Sequence, residues 1–227
     1  MVLITIIIGR AAQFLIGLIT LRTATTLLTP EEMGKVALVA TTTAFFALLV
    51  INPVGMFINR RLHAWRVGGR AVGYLMRYAG YVVLVAALAA ACLALLASAG
   101  FINFDIPVVW LIGLVCGSVV FNTVNQTAIP SLNLLGDSKR FILLTVATLM
   151  ASLISAVTLV TTVQRSAEYW ILGIILGQAL LALVGTRDLL RLLGRGSPAI
   201  NHHSICRQHL QVLFAFSWPV AIAAGLG

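Results

Sequence analysis

Hydrophobic residues fall in long unbroken runs along this chain, separated by short polar turns, and strict alternation of apolar and polar positions is absent from the runs. The runs lie near Leu3 to Leu28, Met33 to Met56, Met76 to Ala99, Val108 to Leu132, Phe141 to Val163 and Tyr169 to Leu190, and a further one opens at Leu210. At about 1.5 Å of rise per residue, each complete run covers roughly 30 Å of hydrocarbon or more, so each predicts a membrane-spanning helix. The last run has only begun when the sequence stops at Gly227. The expected fold is an all-α integral membrane protein. It has a six-helix transmembrane lobe over 1–190, a basic, His-containing loop over 191–209, and the start of a seventh helix over 210–227. The apolar stretch Met1 to Ile8 has no basic residue before it, and Arg10 interrupts the run where a signal peptide needs its core, so the first helix is read as retained.

Composition agrees with a lipid environment: 60% of the 227 residues are hydrophobic and 9% are charged, with a mean hydropathy of +1.05. A soluble fold has no means of burying that much apolar surface. The turns after the second, fourth and sixth spans hold Arg60, Arg61, Arg66, Arg70, Arg77, Lys139, Arg140, Arg187, Arg191, Arg195 and Arg207, whereas those after the first, third and fifth hold Arg22, Lys35 and Arg165. Short cytoplasmic loops carry the Lys and Arg excess, which predicts a cytoplasmic N-terminus. The net charge of +9 is accounted for by this asymmetry and by anionic lipid at the cytoplasmic face, without nucleic acid as a partner.

Enzyme signatures are missing. The chain contains no H-E-x-x-H, Walker loop, G-x-S-x-G or acidic metal cluster, so the expected role is non-catalytic and cofactor-free. The segment His202-His203-Ser204-Ile205-Cys206-Arg207-Gln208-His209 has ligand types in close succession but no second cluster, and reads as a solvated loop and not a metal site. Cys92 and Cys116 lie within spans as small apolar fillers.

Candidate chemistry therefore rests on the polar residues inside the spans. At 100° per residue, Arg10, Gln13, Gly17 and Thr20 of the first span share an arc of about 80°. Arginine in a span faces either a cavity or the headgroups it can snorkel to, and both readings stay open for Arg10. In the fourth span Ser118, Asn122, Asn125, Gln126 and Asn133 share an arc of about 100°. Amides facing lipid would go unsatisfied, so this stripe turns inward, as a ligand surface or as interhelical glue. Asn52 and Asn59 share one side of the second span, with Pro53 expected to kink it. Two further features read as structural. Thr29-Pro30-Glu31-Glu32 is a capping box fixing the first hairpin, and Gly173 with Gly177 forms a G-x-x-x-G contact.

Several stretches resemble bacterial oligosaccharide and polysaccharide flippases, in the superfamily that also holds multidrug exporters and lipid II flippases. They are Gly9-Arg10, the turn Leu27-Leu28-Thr29-Pro30-Glu31-Glu32-Met33-Gly34, Asn59-Arg60-Arg61, Leu134-Leu135-Gly136-Asp137-Ser138-Lys139-Arg140-Phe141, and Phe216-Ser217-Trp218-Pro219. The resemblance implies two six-helix lobes in the bacterial inner membrane. These rock around a central cavity to carry a polyprenyl-pyrophosphate-linked oligosaccharide from the cytoplasmic to the periplasmic leaflet, for lipopolysaccharide or exopolysaccharide synthesis. On that expectation the chain is the first lobe of a longer protein and its partner is a missing C-terminal half or a second lobe. The candidate substrate contacts are Arg10, Gln13, Asn52, Asn59, Asn122, Asn125, Gln126 and Asn133. The alternatives are a cation-coupled multidrug exporter of the same superfamily and a non-transporting scaffold or inactive fragment.

Overall fold

The computed structural model describes residues 2–100 and 107–194, and every regular element among them is helical. Among the described residues, six helices are long and apolar enough to cross a membrane. They are α1 (Val2–Leu27), α2 (Pro30–Val67), α3 (Ala71–Ser98), α4 (Val108–Leu134), α5 (Ser138–Thr162) and α6 (Ala167–Gly194). The chain thus has an all-α, multi-pass membrane fold. The His-containing part of the basic loop and the expected seventh helix lie outside the described residues.

Local chemistry sets the helix ends. Thr29 holds an extended conformation and its Oγ1 accepts the Glu32 amide at 3.4 Å, with Pro30 in the first turn of α2, where its missing N–H costs nothing. Asp137 does the same for α5 by accepting from the Arg140 amide at 3.2 Å. The turns into α3 and α5 pass through left-handed residues, Gly69 at φ 67° and Gly136 at φ 95°, which a side chain would strain.

Three of the expected spans differ most in length. Helix α2 continues past Met56 to Val67, α3 starts at Ala71 instead of Met76, and α6 runs past Leu190 to Gly194, taking in the start of the expected 191–209 loop. The extra turns carry arginines, but their other face is apolar and packed. Leu62 and Trp65 are buried, and the Trp65 ring stacks on Tyr74 with centroids 4.1 Å apart and planes 16° off parallel. Arg61 lies over the Phe57 ring at 5.0 Å, covering it with a cation. Pro53 acts differently from a simple kink. The five residues Ala47–Ile51 before it form a π turn, in which the Asn52 amide donates to the Ala47 carbonyl.

Helix α4 occupies the middle of the bundle, against α3 on one side and α5 and α6 on the other, while α1 packs along α5. Hydrophobic burial adds little between helices in lipid, so close approach of small residues has to hold them together. Gly173 and Gly177 supply that approach. A Cβ at Gly173 would overlap the Ala156 backbone of α5, and one at Gly177 the Ser152 backbone. Leu88, Val109 and Leu183 are exposed on the outer surface, as suits residues facing lipid chains.

Candidate functional site

A cavity of about 390 Å³ opens between α2, α4 and α6. Thr43 and Asn52 reach it from α2, Ser118, Asn122 and Gln126 from α4, and Gln178 from α6. Val36, Val39, Ile171 and Ile174 complete the wall nearest the start of α2 and α6. None of the lining residues is charged, so the site offers amide and hydroxyl donors and acceptors within an apolar frame. The π turn contributes Ala47 to this wall and leaves Asn52 on the cavity side.

Within the cavity Gln126 Nε2 donates to Asn122 Oδ1 at 3.1 Å, one helical turn away. Pro130 has no N–H to give the Gln126 carbonyl, which loses its helix bond beside the site. Asn125, 8% exposed, turns from the cavity into the α4–α6 contact, where its Nδ2 donates to the Gln178 carbonyl at 2.9 Å. That bond fixes the amide orientation, because a backbone carbonyl only accepts. Asn125 Oδ1 and Gln178 Oε1 are then buried acceptors without a protein partner. Groups of this kind cost about 1–3 kcal/mol unless something donates to them. Hydroxyls of water or of a ligand are the matching chemistry.

No protein-family model, curated protein or solved structure matches the chain.

Of the eight residues singled out in the sequence, Asn52, Asn122 and Gln126 line the cavity, and Asn125 braces its α4–α6 wall. Asn59 lies further along α2, where its Oδ1 accepts from Ser131 Oγ at 3.4 Å. Asn133 Oδ1 accepts from Ser138 Oγ at 2.6 Å across the α4–α5 turn. The α4 stripe thus divides among ligand space, helix contact and turn. Arg10 and Gln13 are joined to each other, Nη1 donating to Oε1 at 3.2 Å, and neither is among the cavity's lining residues. Arg10 is exposed on α1, whose buried Gly9 packs on Ile142 of α5.

Two further side chains bear on this region, Gln178 on the cavity wall and Glu32 at the start of α2. Gln178 is the sole amide in the apolar run of α6. It comes one residue after the Gly177 contact, and an amide in a span is signal enough to ask what it faces. Glu32 was assigned to the hairpin of the first two helices, but only half of that capping box forms. Its amide donates to Thr29, while its carboxylate crosses to α6 and accepts from the Ala167 amide at 2.5 Å and from Lys35 Nζ at 2.7 Å. The first amides of α6 lack helical acceptors and lie at the positive end of its dipole, so they draw the anion away from Thr29.

Proposed function

We propose that the chain is a transmembrane lobe of a bacterial oligosaccharide flippase. The uncharged, amide-lined cavity between α2, α4 and α6 carries this reading. A membrane-embedded surface of Asn and Gln side chains suits sugar hydroxyls, each of which donates and accepts. Polyprenyl-pyrophosphate-linked oligosaccharide is the substrate in this reading, moved from the cytoplasmic to the periplasmic leaflet of the inner membrane by alternating access against a second six-helix lobe. The resemblance of the Arg10, Thr29–Gly34 and Leu134–Phe141 segments to that family supports the assignment.

The N-terminus is cytoplasmic in this scheme, with the arginines of the α2–α3, α4–α5 and α6 ends meeting anionic lipid headgroups and attracting the pyrophosphate. An exporter coupled to protons wants a carboxylate in the cavity, and its lining has none, which weighs for the glycan reading.

Allelic replacement in the protein's own cell tests it. With Asn122→Ala and Gln126→Ala combined, surface polysaccharide should fall at least tenfold at unchanged membrane abundance, while lipid-linked oligosaccharide accumulates. Undiminished surface polysaccharide would remove the amide cavity from transport.

A further inference from the structure

The cavity lies mainly against the first half of α2, Asn52 being its one lining residue beyond the π turn. Val36, Val39 and Thr43 of the half that begins at Pro30 form its wall, facing Ile171 and Ile174 of α6. Both halves of α2 touch α3 and α4, but it is the first half that also packs along α6. Beyond the π turn, Asn59 meets Ser131 of α4, Trp65 stacks on Tyr74 of α3, and Phe57, Ile58 and Leu62 are buried. Before the turn, Glu32 reaches the first amide of α6.

Between them the helix ladder is altered over Ala47–Ile51. The Asn52 amide bonds to Ala47, Pro53 has no N–H for Leu49, and the Tyr81 hydroxyl of α3 donates to the Val50 carbonyl at 2.7 Å. A π turn followed by proline is where helices bend at least cost, and Tyr81 ties the turn itself to α3 through Val50.

We propose that the Pro30–Phe46 half of α2 is a gate over the amide cavity, hinged at Ala47–Ile51 and latched by the Glu32 carboxylate on the Ala167 amide. With the latch made, the start of α2 is tied to the start of α6 and that end of the cavity is closed. With it released, this half swings from α6 while the half beyond the π turn stays on α3 and α4. Lys35 is the counter-charge of the latch, 2.7 Å from Glu32 and 3.9 Å from Glu31 on the same helix, so it travels with the gate and still pairs with Glu32 when the Ala167 bond breaks. Glu168, in the first turn of α6, lies in the same group and adds like charge against Glu32. The inference rests on the cavity as the site and goes beyond what the cavity carries.

Double electron–electron resonance on the full chain, its three cysteines replaced by alanine, reads the gate directly. Spin labels at Ala37 and Leu176, both exposed, span the latched end, and labels at Arg61 and Arg191 span the far end as the control. Glu32→Gln should raise the longer-distance population of the first pair about tenfold, the factor for reducing a charge-assisted hydrogen bond to a neutral one, and leave the control pair unchanged. Ala167→Pro, which deletes the donor at a helix position that tolerates proline, should act alike without altering charge. Pro53→Ala added to Glu32→Gln should shrink the long population by restoring a backbone donor at the hinge. An unchanged Ala37–Leu176 distribution in both latch variants would overturn the gate, and so would equal broadening of the two pairs. The measurement needs no substrate, so its failure is separable from a failure of the glycan reading.

Discussion

The closest approach in the bundle is where α6 lies on α5, and Gly177→Ala probes it. The added Cβ would meet the Ser152 amide nitrogen and Cα and sit 2.6 Å from the Ala151 carbonyl carbon, where ordinary contact begins at 3.4 Å, so α5 and α6 must part by more than about 0.8 Å. Backbone atoms are what it meets, and backbone cannot swing aside as a side chain does. Overpacking of this kind costs about 1–3 kcal/mol. At about 2–4 °C per kcal/mol for a domain of this size, a central cost near 2 kcal/mol lowers Tm by roughly 6 °C. Gly80→Ala on α3 is the control, since a Cβ there meets nothing within 4 Å and alanine favours a helix by up to about 1 kcal/mol. Thermal unfolding in detergent, followed by loss of the monodisperse species, should therefore move in opposite directions for the two variants. A Gly177→Ala protein as stable as Gly80→Ala would refute the intimate α5–α6 contact, and with it the placement of Gln178 on the cavity wall.

Asn125→Leu removes one interhelical hydrogen bond, worth about 0.6 kcal/mol on average in membranes, together with a buried oxygen that has no partner. Thermal stability should hold or rise while surface polysaccharide falls; a large loss of stability would make Asn125 simple glue. Asp137→Ala deletes the α5 cap and one of the two carboxylates near Arg140, and should cost about 1 kcal/mol in the same unfolding assay, with no change counting against the cap. Arg10→Ala should leave membrane abundance unchanged and abolish surface polysaccharide, because an exposed guanidinium on a span suits an anionic headgroup. Full polysaccharide in that variant would remove Arg10 from the transport path.

Much of this architecture is legible in the chain because lipid leaves few choices: an apolar run long enough to cross hydrocarbon has to close its own backbone bonds as a helix. The Gly173–Gly177 contact was equally readable, since two small residues four apart have little other use on an apolar helix. Hydropathy failed where α2 ends and α3 begins. There the arginines lower the average, while Trp65 and Tyr74 hold the helices together by a stack that no running average records. The α4 amides were recognised as one inward face, yet 100° of arc on a helix meets several neighbours. Asn122 and Gln126 find the cavity, Asn125 finds α6, and Asn133, at the helix end, finds Ser138. Glu32 shows the same limit from the other side. Spacing identified its local partner Thr29, but the competing amide of Ala167 is 135 residues away in sequence and becomes visible only when α2 and α6 lie together.

The proposed transport requires water inside the amide cavity, and cysteine labelling in intact membranes measures it. Asn122→Cys and Gln178→Cys should react with a small hydrophilic thiosulfonate at rates at least tenfold above Leu88→Cys and Leu183→Cys, which face lipid. If Asn122→Cys is as inert as Leu183→Cys, the cavity is dry packing between helices and the flippase reading falls with it.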